Sequence, residues 1–360
     1  MGDISVIGID LAKRVFQLCA LDDSGEILWT KRFGRKGFER FMAGCCRDLV
    51  VGLEACGGAH YWGRWLEGHG FSVKMMSPVA VKAYIVGGHK SDARDARAIA
   101  EAATRAHVSS VRIKSVAAQG LQALVRVRDR QTRQRTQIVN QLRALLAEFG
   151  FVAPKGHGKL LMTYRNLALS GSLGGLPDEV FELFETLYDE AVCVNARIDA
   201  LTVRLKAAAR RDERCALAMT VPHIGPINAA LCGAMLEAPD DFANGRAFAA
   251  CLGLVPRQHA SGEKSALRAI TKHGNKQLRR NLVLAAQTLL IQAQKDASAG
   301  RALDRVQGWA LSLLARKHRN VAVTAVAARL ARIVWAVLAH GNVYSAVPHH
   351  EGTMEAKLTG

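Results

Sequence analysis

No C-x-x-C pair occurs in the 360 residues, and none of the eight cysteines (19, 45, 46, 56, 193, 215, 232, 251) has a histidine at zinc-ligand spacing. Those absences argue against zinc modules and disulfide frameworks, and leave the cysteines as small core residues of a reducing cytoplasm. A basic n-region followed by a long apolar run is also missing, so the opening MGDISVIGID does not read as a signal peptide. The most apolar late stretch, VAVTAVAARLARIVWAVL, carries Arg329 and Arg332 and reads as too interrupted to span a bilayer. The expectation is a cytoplasmic protein with no membrane partner.

Acid is scarce relative to base: 31 Asp and Glu face 49 Lys and Arg, a formal charge of +18. The excess is concentrated. Residues 112–143 are net +7 and residues 257–332 net +12, so the remainder sums to about −1. Two cationic blocks beside a near-neutral N-terminal region suit a polyphosphate partner. Basic segments that bind lipid usually lack so much patterned core around them. With 49% hydrophobic residues, the chain can bury two or three cores.

Apolar runs at 4–10, 15–21 and 26–33, the last two joined by DDSGE, predict three strands. Helix at 37–46, strand at 49–54, helix at 60–68 and strand at 71–76 follow. Pro78 opens a short helix, and the loop GGHKS (87–91) precedes a helix-like KSDARDARAIA. This is a mixed α/β sheet covered on both faces. Beyond 115 the pattern turns helical. A Pro- and Gly-free stretch at 121–149 and a second helix from Pro177 to about 210, joined by a Gly-rich connection at 155–175, suggest a long antiparallel arm of coiled-coil character. A plain helical linker is the alternative. In TVPHIGPINAALCGA (220–234), Pro222 and Gly225-Pro226 separate two short helices in a helix-hairpin-helix pattern, whose turn can offer N–H groups to phosphate.

Four carboxylates carry the chemistry. Asp10 ends ISVIGID, Glu54 ends LVVGLE, and Asp92 and Asp95 stand at i, i+3 on one helix face. Any one of them alone reads equally as a turn residue or N-cap. Together they form a hard-oxygen donor set for one or two Mg²⁺ ions acting on a phosphodiester, and nothing soft or imidazole-rich points to zinc. Further on, Ser261-Gly262 lies in a flexible polar segment among Arg257, Lys264, Arg268, Lys272 and Lys276. Most Ser-Gly pairs are turns, but a serine among cations can attack phosphorus while they stabilise the developing charge.

Taken in order, GIDLAKRVFQL, GLEACGGAHYW, KSDARDARAIAEA, QALVRVRDRQTRQRTQIVNQLRALLAEFG, VPHIGPINAA and CLGLVPRQHASGEKSALRAITKHGNKQLRR resemble the DEDD-type transposases of bacterial insertion sequences. That group is named for insertion sequence one-ten and is related to the Piv/MooV invertases. The resemblance implies an RNase H/RuvC-like fold at 1–110 with Asp10, Glu54, Asp92 and Asp95 as its metal-binding tetrad. It also implies a helical arm at 111–211, a mainly helical C-terminal domain at 212–340 with Ser261 as nucleophile, and a flexible tail at 341–360. Donor and target DNA, a noncoding bridge RNA, and assembly as a dimer or tetramer in the bacterial cytoplasm at the nucleoid come with it. Many relatives carry Ser-Ser-Gly where this chain has Ala260-Ser261-Gly262, which leaves Ser261 as the sole serine of the motif. Arg126, Arg130, Arg133, Arg257, Lys264, Arg268, Lys272, Lys276, Arg279 and Arg280 are the expected nucleic-acid contacts.

Rival readings are a metal-dependent junction resolvase without a covalent intermediate, a non-catalytic architectural binder, and an actin-like ATPase suggested by GIDLAK. The first two leave Ser261 or the tetrad unexplained. The third needs a later Asp-Gly-Gly phosphate loop, which is absent from the expected region.

Overall fold

The computed structural model describes residues 4–85, 91–261 and 264–346. Side chains of residues 259–267, most of the expected GGHKS loop and the tail from 347 onward lie outside the described residues. The chain divides into two compact units, Met1–Val116 and Ala117–Gly360.

The first unit is built on five strands: β1 (Val6–Leu11), β2 (Val15–Leu21), β3 (Ile27–Gly34), β4 (Val50–Glu54) and β5 (Ser72–Met76), in the order β3-β2-β1-β4-β5. The first three pair antiparallel; β4 pairs parallel to β1, and β5 parallel to β4. The β2–β3 turn closes on Asp22, whose Oδ1 accepts from the Ser24 and Glu26 amides at 2.9 Å each. Parallel pairing demands crossovers, supplied by α1 (Arg35–Ala43) before β4 and α2 (Ala59–Gly68) before β5. Both pack on one face over Ile7, Ile9, Leu18 and Leu53, where Phe16, Phe38 and Trp62 meet edge to face. Ser77 caps α3 (Pro78–Lys82), and α4 (Asp92–Thr104) covers the opposite sheet face with Ala96, Ile99, Ala100 and Ala103 against Val6, Cys19 and Leu21.

The second unit is mostly helical. α5 (Val116–Glu148) and α7 (Asp178–Arg211) run antiparallel, tied by Arg128 Nε to Thr202 Oγ1 at 2.7 Å and Arg135 to Asn195 Oδ1 at 2.8 Å. Those arginines and the buried Gln131 break the apolar seam between Val125 and Ile138, which is why the heptad pattern is imperfect. The Gly-rich connection expected at 155–175 contains a helix, α6 (His157–Leu169), whose Leu160 and Tyr164 fill a core with Leu142, Leu146 and Phe184. Apolar Leu160, Leu161 and Tyr164 at helical spacing outweigh the flanking glycines.

Two short helices, α8 (Glu213–Ala218) and α9 (Pro226–Met235), flank the Pro222–Gly225 turn as expected, with His223 at φ 64°. The segment after α10 (Gly245–Cys251) differs from the sequence expectation. The expected flexible polar segment is an antiparallel hairpin, β6 (Pro256–Ser261) with β7 (Lys264–Ile270). Only two residues separate the strands, one of them Gly262, a spacing that favours tight pairing. α11 (Lys276–Ser298), α12 (Arg305–Arg316) and α13 (Arg319–His340) complete the core. By length and composition α13 could cross a membrane, contrary to the reading that its arginines interrupt it too much. Its Val323, Val326, Leu330 and Val334 are buried in the protein core.

The sheet leaves no room for a side chain under α4, which yields a stability test. Gly8→Ala should cost about 1–3 kcal/mol in urea denaturation through overpacking. Gly57→Ala, where nothing stands within 4 Å of the added carbon, should stay within about 0.5 kcal/mol.

Candidate functional site

Strand pleating sets the geometry. Successive side chains alternate faces, so Val6, Gly8 and Asp10 share one face of β1, and Val50, Gly52 and Glu54 the matching face of β4. The register aligns Val6 with Val50 and Gly8 with Gly52, and continues through Ile9 and Leu53. Asp10 and Glu54 are thereby neighbours at the same end of adjacent strands, each half-buried. α4 lies on that face in backbone contact. A Cβ on Gly8 would stand 2.3 Å from the Ala100 amide nitrogen and 2.4 Å from the Ala96 carbonyl oxygen; one on Gly52 would stand 2.9 Å from Ala103 Cβ. Helical spacing continues the Ala96–Ile99–Ala103 stripe backward to Asp95 and Asp92, in the first turn. Asp95 is half-buried and Asp92 exposed. At its other end α4 is fastened to β5, where Lys74 Nζ donates to the carbonyls of Ala103 (3.2 Å) and Arg105 (2.7 Å).

Electrostatics links these groups. Burial, then the Asp95 charge, pushes the Glu54 carboxyl above the usual range. The Cys56 thiol is raised by desolvation and then by Glu54 and Asp10, so this cysteine stands among the same carboxylates. The side chains are not drawn to a point, however: among the described residues, no three His, Cys, Asp or Glu side chains form a group that could hold a metal ion. The structure assembles the elements that bear the four acids and couples Glu54 to Asp95. First-turn acids also favour a helix dipole, so Asp92 and Asp95 stabilise α4 in any case.

In the second unit, the Ser261 backbone pairs with Lys264 at the hairpin end; the side chains of both lie outside the described residues. Arg257 is exposed and donates to the Thr271 carbonyl at 3.3 Å, while Arg268, Lys272 and Lys276 are exposed. Arg126, Arg130 and Arg133 lie on the exposed side of α5, with Arg133 3.4 Å from Asp129. Arg279 and Arg280 are engaged within the fold. Arg279 donates to the carbonyls of Leu252 (2.9 Å) and His273, and Arg280 pairs with Asp129.

Sequence reasoning passed over Gly8, Gly52, Lys74 and Cys56. The signal for the glycines was present as two matched pentapeptides, VIGID and VVGLE, with glycine two residues before the acid in each.

Comparison with known proteins bears on this arrangement. The DEDD-type transposase profile of the IS110 group matches residues 7–151, and that of the transposase IS116/IS110/IS902 family matches residues 215–300. The chain is 36% identical over 344 residues to the transposase for insertion sequence element IS1111A of Coxiella burnetii, covering 96% of this chain and 92% of that protein. It is 37% identical to a probable family 20 transposase of Pseudomonas aeruginosa, over 95% of this chain and 99% of the relative. Against the transposase for insertion sequence element IS1328 of Yersinia enterocolitica it is 34% identical, over 96% and 100%.

The raised Glu54 carboxyl makes a pH-dependent prediction. A carboxyl with a folded-state pKa above its unfolded value holds its proton more tightly when folded. Stability therefore falls as pH rises from the ordinary carboxylate range through the raised value. Glu54→Gln should melt at a higher temperature than the natural chain at neutral pH in metal-free buffer. That advantage should vanish as pH falls below the ordinary carboxylate range, as read by thermal denaturation across pH.

Proposed function

This chain belongs to the IS116/IS110/IS902 family of transposases, and from that premise we propose that it cuts and rejoins DNA through a covalent serine–DNA intermediate. The observation that carries the reading is the shared strand end: Asp10 and Glu54 side by side, with the Asp92–Asp95 turn on the same sheet face. The strand order β3-β2-β1-β4-β5, antiparallel then parallel, supports an RNase H/RuvC-like domain at 1–110. The proposed division continues with a helical arm at 111–211, the serine-bearing domain at 212–340 and a tail at 341–360.

Asp10, Glu54, Asp92 and Asp95 would hold one or two Mg²⁺ ions. An all-carboxylate donor set suits a hard divalent cation, and a cation there would offset the burial and the Asp95 repulsion that raise Glu54. Bound there, the metal would stabilise charge on the attacking and leaving oxygens of a phosphodiester. The Ser261 hydroxyl attacks phosphorus. Its Oγ–P bond forms as the bond to the 3′-oxygen breaks, the serine proton passes to solvent or base, and the 3′-oxygen leaves as a hydroxyl. A 3′-hydroxyl from the other duplex then attacks the phosphoserine and releases Ser261, so the phosphodiester bond energy is conserved. Exposed Arg257 and Arg268 on the hairpin suit stabilisation of the charge on phosphorus.

The partners proposed are donor and target DNA, a noncoding bridge RNA that pairs with both, and further copies of the chain in a dimer or tetramer. The setting is the bacterial cytoplasm at the nucleoid.

Ser261→Ala should bind nucleic acid normally yet yield no protein–DNA adduct on a denaturing gel, whereas Ser265→Ala should still form one. Each of Asp10→Asn, Glu54→Gln, Asp92→Asn and Asp95→Asn should abolish recombination. An adduct that persists in Ser261→Ala, or cleavage without any adduct in the natural chain, would favour a hydrolytic RuvC-like nuclease. Nucleic-acid affinity should also fall with salt at a log–log slope of about 0.7–0.9 per neutralised phosphate. Lys276→Ala should lower that slope by about one such increment without changing sequence preference. Arg279→Ala should instead lower the melting temperature, because its donors hold the Leu252 and His273 carbonyls.

A further inference from the structure

A groove of about 1180 Å³ opens in the second unit between α10, the β6–β7 hairpin, α12 and α13. Its lining is largely apolar, with five alanines, several aliphatic side chains and Trp309 and Trp335, and its cations are Arg246, Arg268, Arg329 and Arg332. Among the described residues that line it none is acidic. Arg329 lies over the Trp309 ring at 4.5 Å, and the Trp335 Nε1–H donates to the Pro239 carbonyl at 3.1 Å, fixing the ring. Burial, then the neighbouring guanidinium groups of Arg305 and Arg332, hold Arg329 below the ordinary arginine range, with Tyr344 and Asp304 acting in the opposite direction. The lining includes Asn320 and Val321, which follow the exposed run Arg316, Lys317, His318 and Arg319 at the junction of α12 and α13.

We propose that this groove binds an unpaired nucleic-acid strand, with bases seated on the apolar and tryptophan surface and phosphates on Arg246 and Arg332. The inference rests on the transposase reading for its nucleic-acid partner but assigns a site that the tetrad and Ser261 do not include. The choice of strand follows from the lining. A duplex keeps its base faces inside the stack and presents phosphates, so an apolar floor gains it nothing. An unpaired strand exposes base faces that tryptophan can cover, and exposed arginines neutralise its backbone. The exposed 316–319 run, adjoining Asn320 and Val321 of the lining in sequence, adds positive charge next to the groove.

The test uses the full-length chain with two fluorescent probes, a short oligothymidylate and a blunt mixed-sequence duplex, read by anisotropy across a salt series. Arg246→Ala/Arg332→Ala should weaken oligothymidylate binding about tenfold or more and flatten its salt slope by about 0.7 per lost contact, with duplex affinity changed less than about twofold. Trp309→Leu should weaken the same probe without changing the slope, while Trp309→Phe retains most of the affinity. Circular dichroism melts check that each variant is folded. Equal losses for both probes would reduce the groove to general electrostatics and overturn the proposal. So would unchanged oligothymidylate binding, or displacement of that probe by an acidic peptide at lower concentration than by unlabelled strand. Recombination is scored separately. If the natural chain fails to recombine but shows groove-dependent strand binding, the transposase reading falls and the groove stands; recombination without groove-dependent binding gives the reverse.

Discussion

The contact of α4 with bare backbone at Gly8 and Gly52 is the constraint on which the first unit depends. With no side chains at those positions the helix sits down on the two central strands, and no other residue would allow that approach. The depth of seating decides where the first turn of α4 falls, and so where Asp92 and Asp95 stand relative to the ends of β1 and β4. Lys74 fixes the far end, so the helix is held at its C-terminus by hydrogen bonds and along its middle by packing. Its acidic first turn is supported less firmly: the Ser91 side chain makes no capping bond there.

That arrangement costs stability. Glu54 is half-buried and raised by burial and by Asp95, and Cys56 is raised by burial and then by Glu54 and Asp10. A fold selected only for stability would place an amide or an apolar group there. A bound cation, as in the proposed site, would offset the burial of Glu54 and its repulsion by Asp95. The rest of the sheet is built to absorb that cost, with the Phe16–Phe38–Trp62 cluster and the Ile7, Ile9 and Leu53 layer on the opposite face.

Cations in the second unit divide by what they touch. Arg128, Arg135 and Arg279 spend their donors on hydroxyl, amide and carbonyl groups of the fold, and Arg280 is paired with Asp129. Arg126, Arg130, Arg246, Arg268, Lys276 and Arg332 are exposed. A net charge counted along the chain adds both classes together, yet only the second can be exchanged for phosphate contacts without loosening the core.

The sequence by itself determined the strands of the first unit, the two long helices, the short helix pair around Pro222–Gly225 and the positions of the four acids. Each rests on local periodicity or on a turn residue, which the chain displays without reference to anything distant. It also carried the family resemblance, because the motifs occur in order. Only tertiary structure decided that β1 lies between β2 and β4, that α4 meets the sheet at Gly8 and Gly52, and that Glu54 is coupled to Asp95. The helix His157–Leu169 and the 256–270 hairpin were misread because glycine and polar composition suggest a loop; the helix is ordered by apolar partners such as Leu142, Leu146 and Phe184 elsewhere in the chain, and the hairpin by pairing between its own two arms, which composition does not display. Arg279 looked like one more phosphate contact for the same reason: the carbonyls it holds, Leu252 and His273, are brought to it only when the chain folds back.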